Sequence, residues 1–172
     1  MAATVYNSVE LDAYPHDALF NTGVKVRTVI ATITIDANSA DGDVIILAKG
    51  LPYDVKVVGL RFPTVISGIT QLSDVDFGLY ALEALTKSML VSAIPSAAVL
   101  DANVLVDSID LSSAKAANVD VLQSDRAVTI GALLSSQSDK EPAGGVAICA
   151  TINTQGSGTG TIEVAIDLAF PA

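Results

Sequence analysis

Thr161-Ile162-Glu163-Val164-Ala165-Ile166-Asp167-Leu168-Ala169-Phe170 puts Ile162, Val164, Ile166, Leu168 and Phe170 in one phase and Thr161, Glu163, Ala165, Asp167 and Ala169 in the other. A period of two is the signature of a strand with one buried face. Val146 to Thr154 repeats it with Val146, Ile148, Ala150 and Ile152 in phase, and Gln155-Gly156-Ser157-Gly158-Thr159-Gly160 lies between. The two runs read as a closing β-hairpin. Both apolar sets are even-numbered, so the loop must be odd in length or carry a bulge, and pairing Ile152 with Ile162 and Ile148 with Ile166 leaves a turn centred near Ser157. Gly156, Gly158 or Gly160 would supply the positive φ of such a turn. The same glycines lack the Gly-Lys-Ser/Thr of a phosphate-binding loop and a strand-to-helix setting for a dinucleotide.

The chain has 172 residues, the size of one domain with a substantial core. It is 51% hydrophobic and only 16% charged, against a usual charged share of about 25%. No stretch approaches the roughly 18 to 20 apolar residues of a membrane span, and Met1 to Asn7 has neither a basic nor an apolar signal-peptide region. A sequence so apolar and so poor in charge is expected to bury surface between subunits, as a homo-oligomer. Its net charge of −10 opposes direct binding to nucleic acid. The acidic residues are scattered and suit a solvated outer surface. Cys149, the single cysteine, shares its strand face with Ala147 and Thr151 and reads as a small, semi-buried residue.

Residues 1 to 22 read as an extended N-terminal arm, broken midway by Tyr14-Pro15-His16-Asp17, with the β-sandwich domain following from 23 to 172. An arm of that length reaches roughly 65 Å when extended. Val24 to Asp36 is a long β-branched strand whose apolar phase moves from Val24/Val26 to Val29/Ala31/Ile33/Ile35, which a bulge near Thr28 would reconcile. Asp43 to Ala48, Asp54 to Phe62 and Asp74 to Leu82 are further strands, with turns at Asn38 to Gly42 and Lys49 to Pro52. Asp74 and Asp76 alternate with Val75 and Phe77, as solvent-facing positions would. Glu83 to Ile94 could form a short helix, Ala97 to Asp110 mixes strand and loop signals, and a Ser124 or Asp125 cap precedes a possible helix over Ala127 to Leu134. Short strands with turns at this spacing indicate an all-β, antiparallel sandwich with one or two short helices.

Catalytic chemistry finds little to stand on. His16, the single histidine, lies in the arm beside Pro15, and no Gly-x-Ser-x-Gly elbow accompanies it. Asp36 to Asp43 looks superficially like a calcium loop, but the third ligand position falls on Ala40, the glycine comes one place late at Gly42, and the bidentate position is Leu47. A turn capped by Asx side chains accounts for the same residues. With no tryptophan, four tyrosines and four phenylalanines, the chain is poor in the aromatic platforms that sugar sites use. No catalytic residue, cofactor or metal is expected.

In order along the chain, several segments resemble the head decoration, or capsid cement, proteins of tailed bacteriophages. They are Val24-Lys25-Val26-Arg27 before an Ala/Thr/Ile strand, Asp41-Gly42-Asp43-Val44-Ile45, Lys49-Gly50 ahead of Val55 to Phe62, and Val75-Asp76-Phe77-Gly78-Leu79-Tyr80. Thr129-Ile130-Gly131-Ala132-Leu133-Leu134, the polar stretch with Asp139 and Pro142, Ile148-Cys149-Ala150-Thr151 and the closing strand complete the series. Similar proteins often carry Trp in the short helix and basic residues on the last strand, where this chain has Thr129-Ile130 and Glu163, Asp167.

The resemblance implies a jelly-roll-like virion protein with no enzymatic activity. It would bind the outer surface of the expanded head as a homo-oligomer, a trimer, bridging subunits of the major capsid protein without touching nucleic acid or membrane. The arm is expected to make the crossing contacts, through Tyr6, Leu11, Tyr14, Pro15, His16 and Phe20. A head-fibre or tail module that binds a receptor or glycan on the same sandwich is the alternative.

Overall fold

The computed structural model describes residues 5–7, 25–36, 39–84, 98–135, 141–154 and 158–171. The strands are β1 (Val5–Asn7), β2 (Lys25–Ile35), β3 (Val44–Leu51), β4 (Lys56–Arg61), β5 (Asp74–Ala81), β6 (Val99–Ile109), β7 (Val146–Thr154) and β8 (Gly160–Phe170), and a short helix, α1 (Ile130–Leu133), precedes β7. They form a five-stranded sheet in the order β1-β3-β7-β5-β6 and a three-stranded sheet in the order β2-β8-β4. The all-β sandwich expected from the alternation is therefore found, antiparallel except where β1 runs parallel to β3. Most successive strands change sheet, so the core forms from the inner faces of both.

The closing strands have the expected extents but not the expected partners. β7 lies between β3 and β5, and β8 between β2 and β4, so the chain crosses from one sheet to the other after Thr154 and no β7–β8 hairpin exists. Even parity is preserved because both even-numbered rows face the same interior. Val146, Ile148, Ala150 and Ile152 meet Ile162, Val164, Ile166 and Leu168 in one buried cluster with Phe62, Phe77 and Leu105. Burial of a large aliphatic or aromatic side chain contributes roughly 1.5–3 kcal/mol, so this inter-sheet layer dominates stability.

Gly158 and Gly160 serve contact rather than turning; Gly156 lies outside the described residues. A Cβ at Gly158 would lie 2.3 Å from the carbonyl oxygen of Thr70, and one at Gly160 would lie 3.0 Å from the Ile69 side chain. Neither is among the positive-φ glycines; the crossing chain packs directly on the loop that precedes β5.

β2 also differs from its expected form. It pairs with β8 without a break from Lys25↔Phe170 to Ile35↔Gly160, so there is no bulge near Thr28. Odd-numbered residues face inward throughout, and Val26 and Ile30 are left on the outer face, 62% and 42% exposed. β3 continues through Lys49-Gly50, absorbing the turn-like dipeptide in two register shifts against β7. The helix near Ala127 is shorter than expected. Asp125 instead caps a preceding turn by accepting from the Ala127 N–H at 2.8 Å, and Thr129 Oγ1 caps α1 by accepting from Ala132 at 3.3 Å. Residues 82–84 are helical; the rest of the Glu83 to Ile94 segment lies outside the described residues.

Candidate interaction surface

The two sheets present very different outer faces. On the five-stranded sheet, Val44 and Ile46 of β3, Tyr80 of β5, and Ala147 and Cys149 of β7 form a second buried cluster with Ala98. Tyr80 is 1% exposed, and its hydroxyl lies 2.6 Å from Thr151 Oγ1. Burial drives the phenol pKa from 10.0 up to about 12, against the opposing effect of the Thr151 hydrogen bond. Cys149 is fully buried rather than semi-buried, and desolvation pushes its thiol well above the ordinary range. A thiol held protonated there is inert packing, not a nucleophile.

The outer face of the three-stranded sheet is open. Val26 lies opposite Ala169 and Ile30 opposite Ala165, and the two alanines are nearly covered while the larger side chains stand above them. Between these apolar rows runs a polar one. Asp167 on the central β8 accepts from Thr28 Oγ1 of β2 at 2.5 Å and forms an ion pair with Arg61 of β4. Gly59 makes room for that carboxylate, since a Cβ there would sit 2.9 Å from Asp167 Oδ2. Thr28, Asp167 and Arg61 thus tie the three strands together across their outer surface.

The sheet edges differ as sharply. β4 is closed by the 115–121 segment: Val121 N–H donates to the Leu60 carbonyl at 2.8 Å, Asn118 N–H to Phe62 at 2.7 Å, and Ile66 and Lys115 exchange both bonds at 3.0 Å. Asp120 fixes that segment by accepting from the N–H groups of Leu60 and Leu122 and pairing with Arg126 at 3.0 Å. β6, at the far edge of the other sheet, slips register against β5 three times. Asp76, read from sequence as solvent-facing, is 8% exposed; its carboxylate accepts from Ser108 N–H and Asn153 Nδ2, each at 2.7 Å. Ser108 itself has φ of 54°. A buried carboxylate spent on a backbone N–H and an amide is a structural anchor for the bulged edge. Among the described residues, β2 alone presents a long regular edge: from Val26 to Ile35 none of them hydrogen-bonds to the side away from β8.

Of the arm residues expected to make contacts, Tyr6 lies in β1, paired with Ile45 on the edge of the chain's own sheet. Leu11, Tyr14, Pro15, His16 and Phe20 lie outside the described residues. In the calcium-like segment Asp36 and Asp43 cap backbone: Asp36 Oδ1 accepts from Ser39 N–H at 3.1 Å, and the buried Asp43 accepts from Ala40 N–H at 2.8 Å. Among the described residues no group of His, Cys, Asp and Glu is placed to hold a metal ion. The β2 edge was missed from sequence, although its signal was there: Val26 and Ile30 are apolar at even positions of a strand whose odd positions already fill the core.

No family model and no curated protein matches the chain. It is similar to a chain of the Cyanophage Pam1 capsid asymmetric unit, with a TM-score of 0.35 and 13% identity over 92% of this chain and 94% of that one. Likeness at that level is too slight to carry either fold or function.

Proposed function

We propose that this chain is a non-enzymatic virion protein of a tailed phage, binding the outer surface of the expanded head as a homo-oligomer and bridging subunits of the major capsid protein. The observation that carries the reading is the contrast between carboxylates tied up within the fold and bare contact surface. Asp43, Asp76, Asp120 and Asp167 are each committed to hydrogen bonds within the fold, whereas Val26 and Ile30 face outward and no described residue pairs with the far edge of β2 from Val26 to Ile35. A rigid sandwich with an open strand edge and apolar side chains beside it is equipped to hold proteins, not to transform small molecules. The order of motifs that resembles that of cement proteins supports the same reading, and a net charge of −10 suits a surface that must not capture nucleic acid. Several modest contacts to neighbouring capsid subunits would add through effective concentration. Selective binding to the expanded shell would stabilise it by mass action.

The test is to mix the purified protein with expanded capsids that lack it and to image the particles. Occupancy at symmetry-related outer sites is expected. Failure to bind, with clean hits on a glycan array, would replace the reading with a receptor-binding fibre or tail module. Deleting residues 1–22 should leave a folded protein with much weaker occupancy, and unchanged occupancy would remove the arm from the contact. Because that deletion also strips β1 from the β3 edge, the fold of the shortened chain is checked by its melting curve.

A further inference from the structure

We infer that β2 is a self-association edge, which pairs antiparallel with β2 of a second copy about a two-fold axis at Ile30. The contact would join the two three-stranded sheets into one continuous sheet. The inference is independent of any capsid. It starts from the edge itself: β2 runs eleven residues with no Pro or Gly, and its pairing with β8 has no register shift. These are the features that natural edges avoid, through bulges, short strands and charges, unless another chain covers them. The other long edges follow that rule, β4 by its 115–121 cover and β6 by its bulges, so the exception at β2 calls for a partner strand.

The sequence of β2 selects a second copy as that strand. A two-fold axis perpendicular to the sheet keeps each residue opposite one of the same face, which requires residue numbers across the pair to sum to an even value. Centring on Ile30 uses the full strand and places Ile30 against its own counterpart. Thr28 then meets the second copy's Thr32, Val29 meets Ala31, and Val26 meets Thr34. The Thr28–Thr32 contact occurs twice, and Thr–Thr pairs are among the favourable cross-strand combinations. The exposed Ile30 side chains cover each other. No charge lies between Thr28 and Ile35, so nothing of like sign meets at the axis. Antiparallel pairing also lays the Lys25/Arg27 end of each strand beside the Asp36 end of the other. For a chain of net charge −10, this is an edge at which two copies attract locally instead of repelling.

The test uses the full chain in solution. Sedimentation across a wide concentration range should show association through a two-fold step. Ile30→Lys, which sets two ammonium groups face to face at the axis, should weaken that step roughly tenfold or more. Val119→Lys, at a residue 51% exposed in the segment that closes the opposite, β4 edge of the sheet, should leave it unchanged. As a second measurement, Ile30→Cys should oxidise readily to a covalent dimer, because directly opposed residues in an antiparallel pair have Cα atoms about 4.5–5.5 Å apart, within disulfide reach. Thr34→Cys should not, since it faces Val26, and the fully buried Cys149 does not compete. A protein monomeric at all concentrations would overturn the inference. So would an oligomer, trimer included, whose size Ile30→Lys leaves untouched, or cross-linking of Thr34→Cys as fast as that of Ile30→Cys.

Discussion

β6 and β2 are both eleven-residue edge strands, yet they solve the problem of an edge in opposite ways. β6 is bent over its own sheet. Between Phe77↔Val106 and Leu79↔Asp101 the register slips, and the backbone of Asp101 and Ala102 comes down where a side chain at position 78 would stand: a Cβ on Gly78 would lie 2.2 Å from the Ala102 carbonyl. This helps bury the outer face of the five-stranded sheet around Tyr80 and Cys149, and Asp76 pins the bulge from below. β2 has no such device. Its outer face stays bare at Val26 and Ile30, and its edge stays regular. One edge is spent on the protein's own stability, and the other is kept available.

The most severe way to break this contrast is Gly78→Ala. One methyl group would occupy the space of the Asp101 and Ala102 backbone, which cannot yield as a flexible side chain could. The variant should lose about 3 kcal/mol or more, measured by denaturant unfolding, with faster amide exchange over residues 99–109. A neutral result would mean that β6 does not need its close approach to β5, and the proposed cost of closing that edge would disappear.

The next largest effect concerns the face that β6 helps to cover. Tyr80 holds its proton up to about pH 12 in the folded state but only to about 10.0 when unfolded. Because the folded pKa is the higher, its contribution is complete below about pH 10 and is lost as pH rises toward 12, by about 2 to 3 kcal/mol. Unfolding free energy measured from pH 9 to 12 should therefore fall, and Tyr80→Phe should flatten the fall. At neutral pH the same substitution should cost only about 1 kcal/mol, through the Thr151 hydroxyl left without its 2.6 Å partner. Equal alkaline slopes in the two proteins would show that this face is wetter than its burial indicates.

How legible these regions were in the sequence follows from what alternation can report. It marks which residues share a face, so the extents of β7 and β8 and the sandwich class were readable. It cannot say whether two in-phase strands face one core from the same sheet or from opposite sheets. Ile152 and Ile162 satisfy either arrangement, and the structure takes the crossing one. Gly158 and Gly160 gave a turn signal locally, while their actual reason, the Ile69–Thr70 loop, is distant in sequence. Asp76 looked solvated because nothing in its own strand announces the bulged neighbour that covers it. At β2 the residues themselves were informative. Requiring every apolar side chain to point inward led to an expected bulge near Thr28, whereas Val26 and Ile30 are outside and the strand is straight.

The smallest expected effect is the sharpest on that last point. Val26→Thr keeps the β-branched shape and strand preference and replaces one methyl by a hydroxyl at a position 62% exposed. If Val26 is surface, the variant's stability, measured at a concentration too low for association, should stay within about 0.5 kcal/mol of the parent. Threonine at an inward position, as in Ile33→Thr at 1% exposure, would bury an unpartnered hydroxyl and remove packed apolar volume, costing about 2 kcal/mol or more. The difference between these two substitutions on one strand measures how completely β2 separates its structural face from the face it offers to other molecules. Near-equal costs would place Val26 in a covered environment, and the open edge on which both proposals rest would have to be given up.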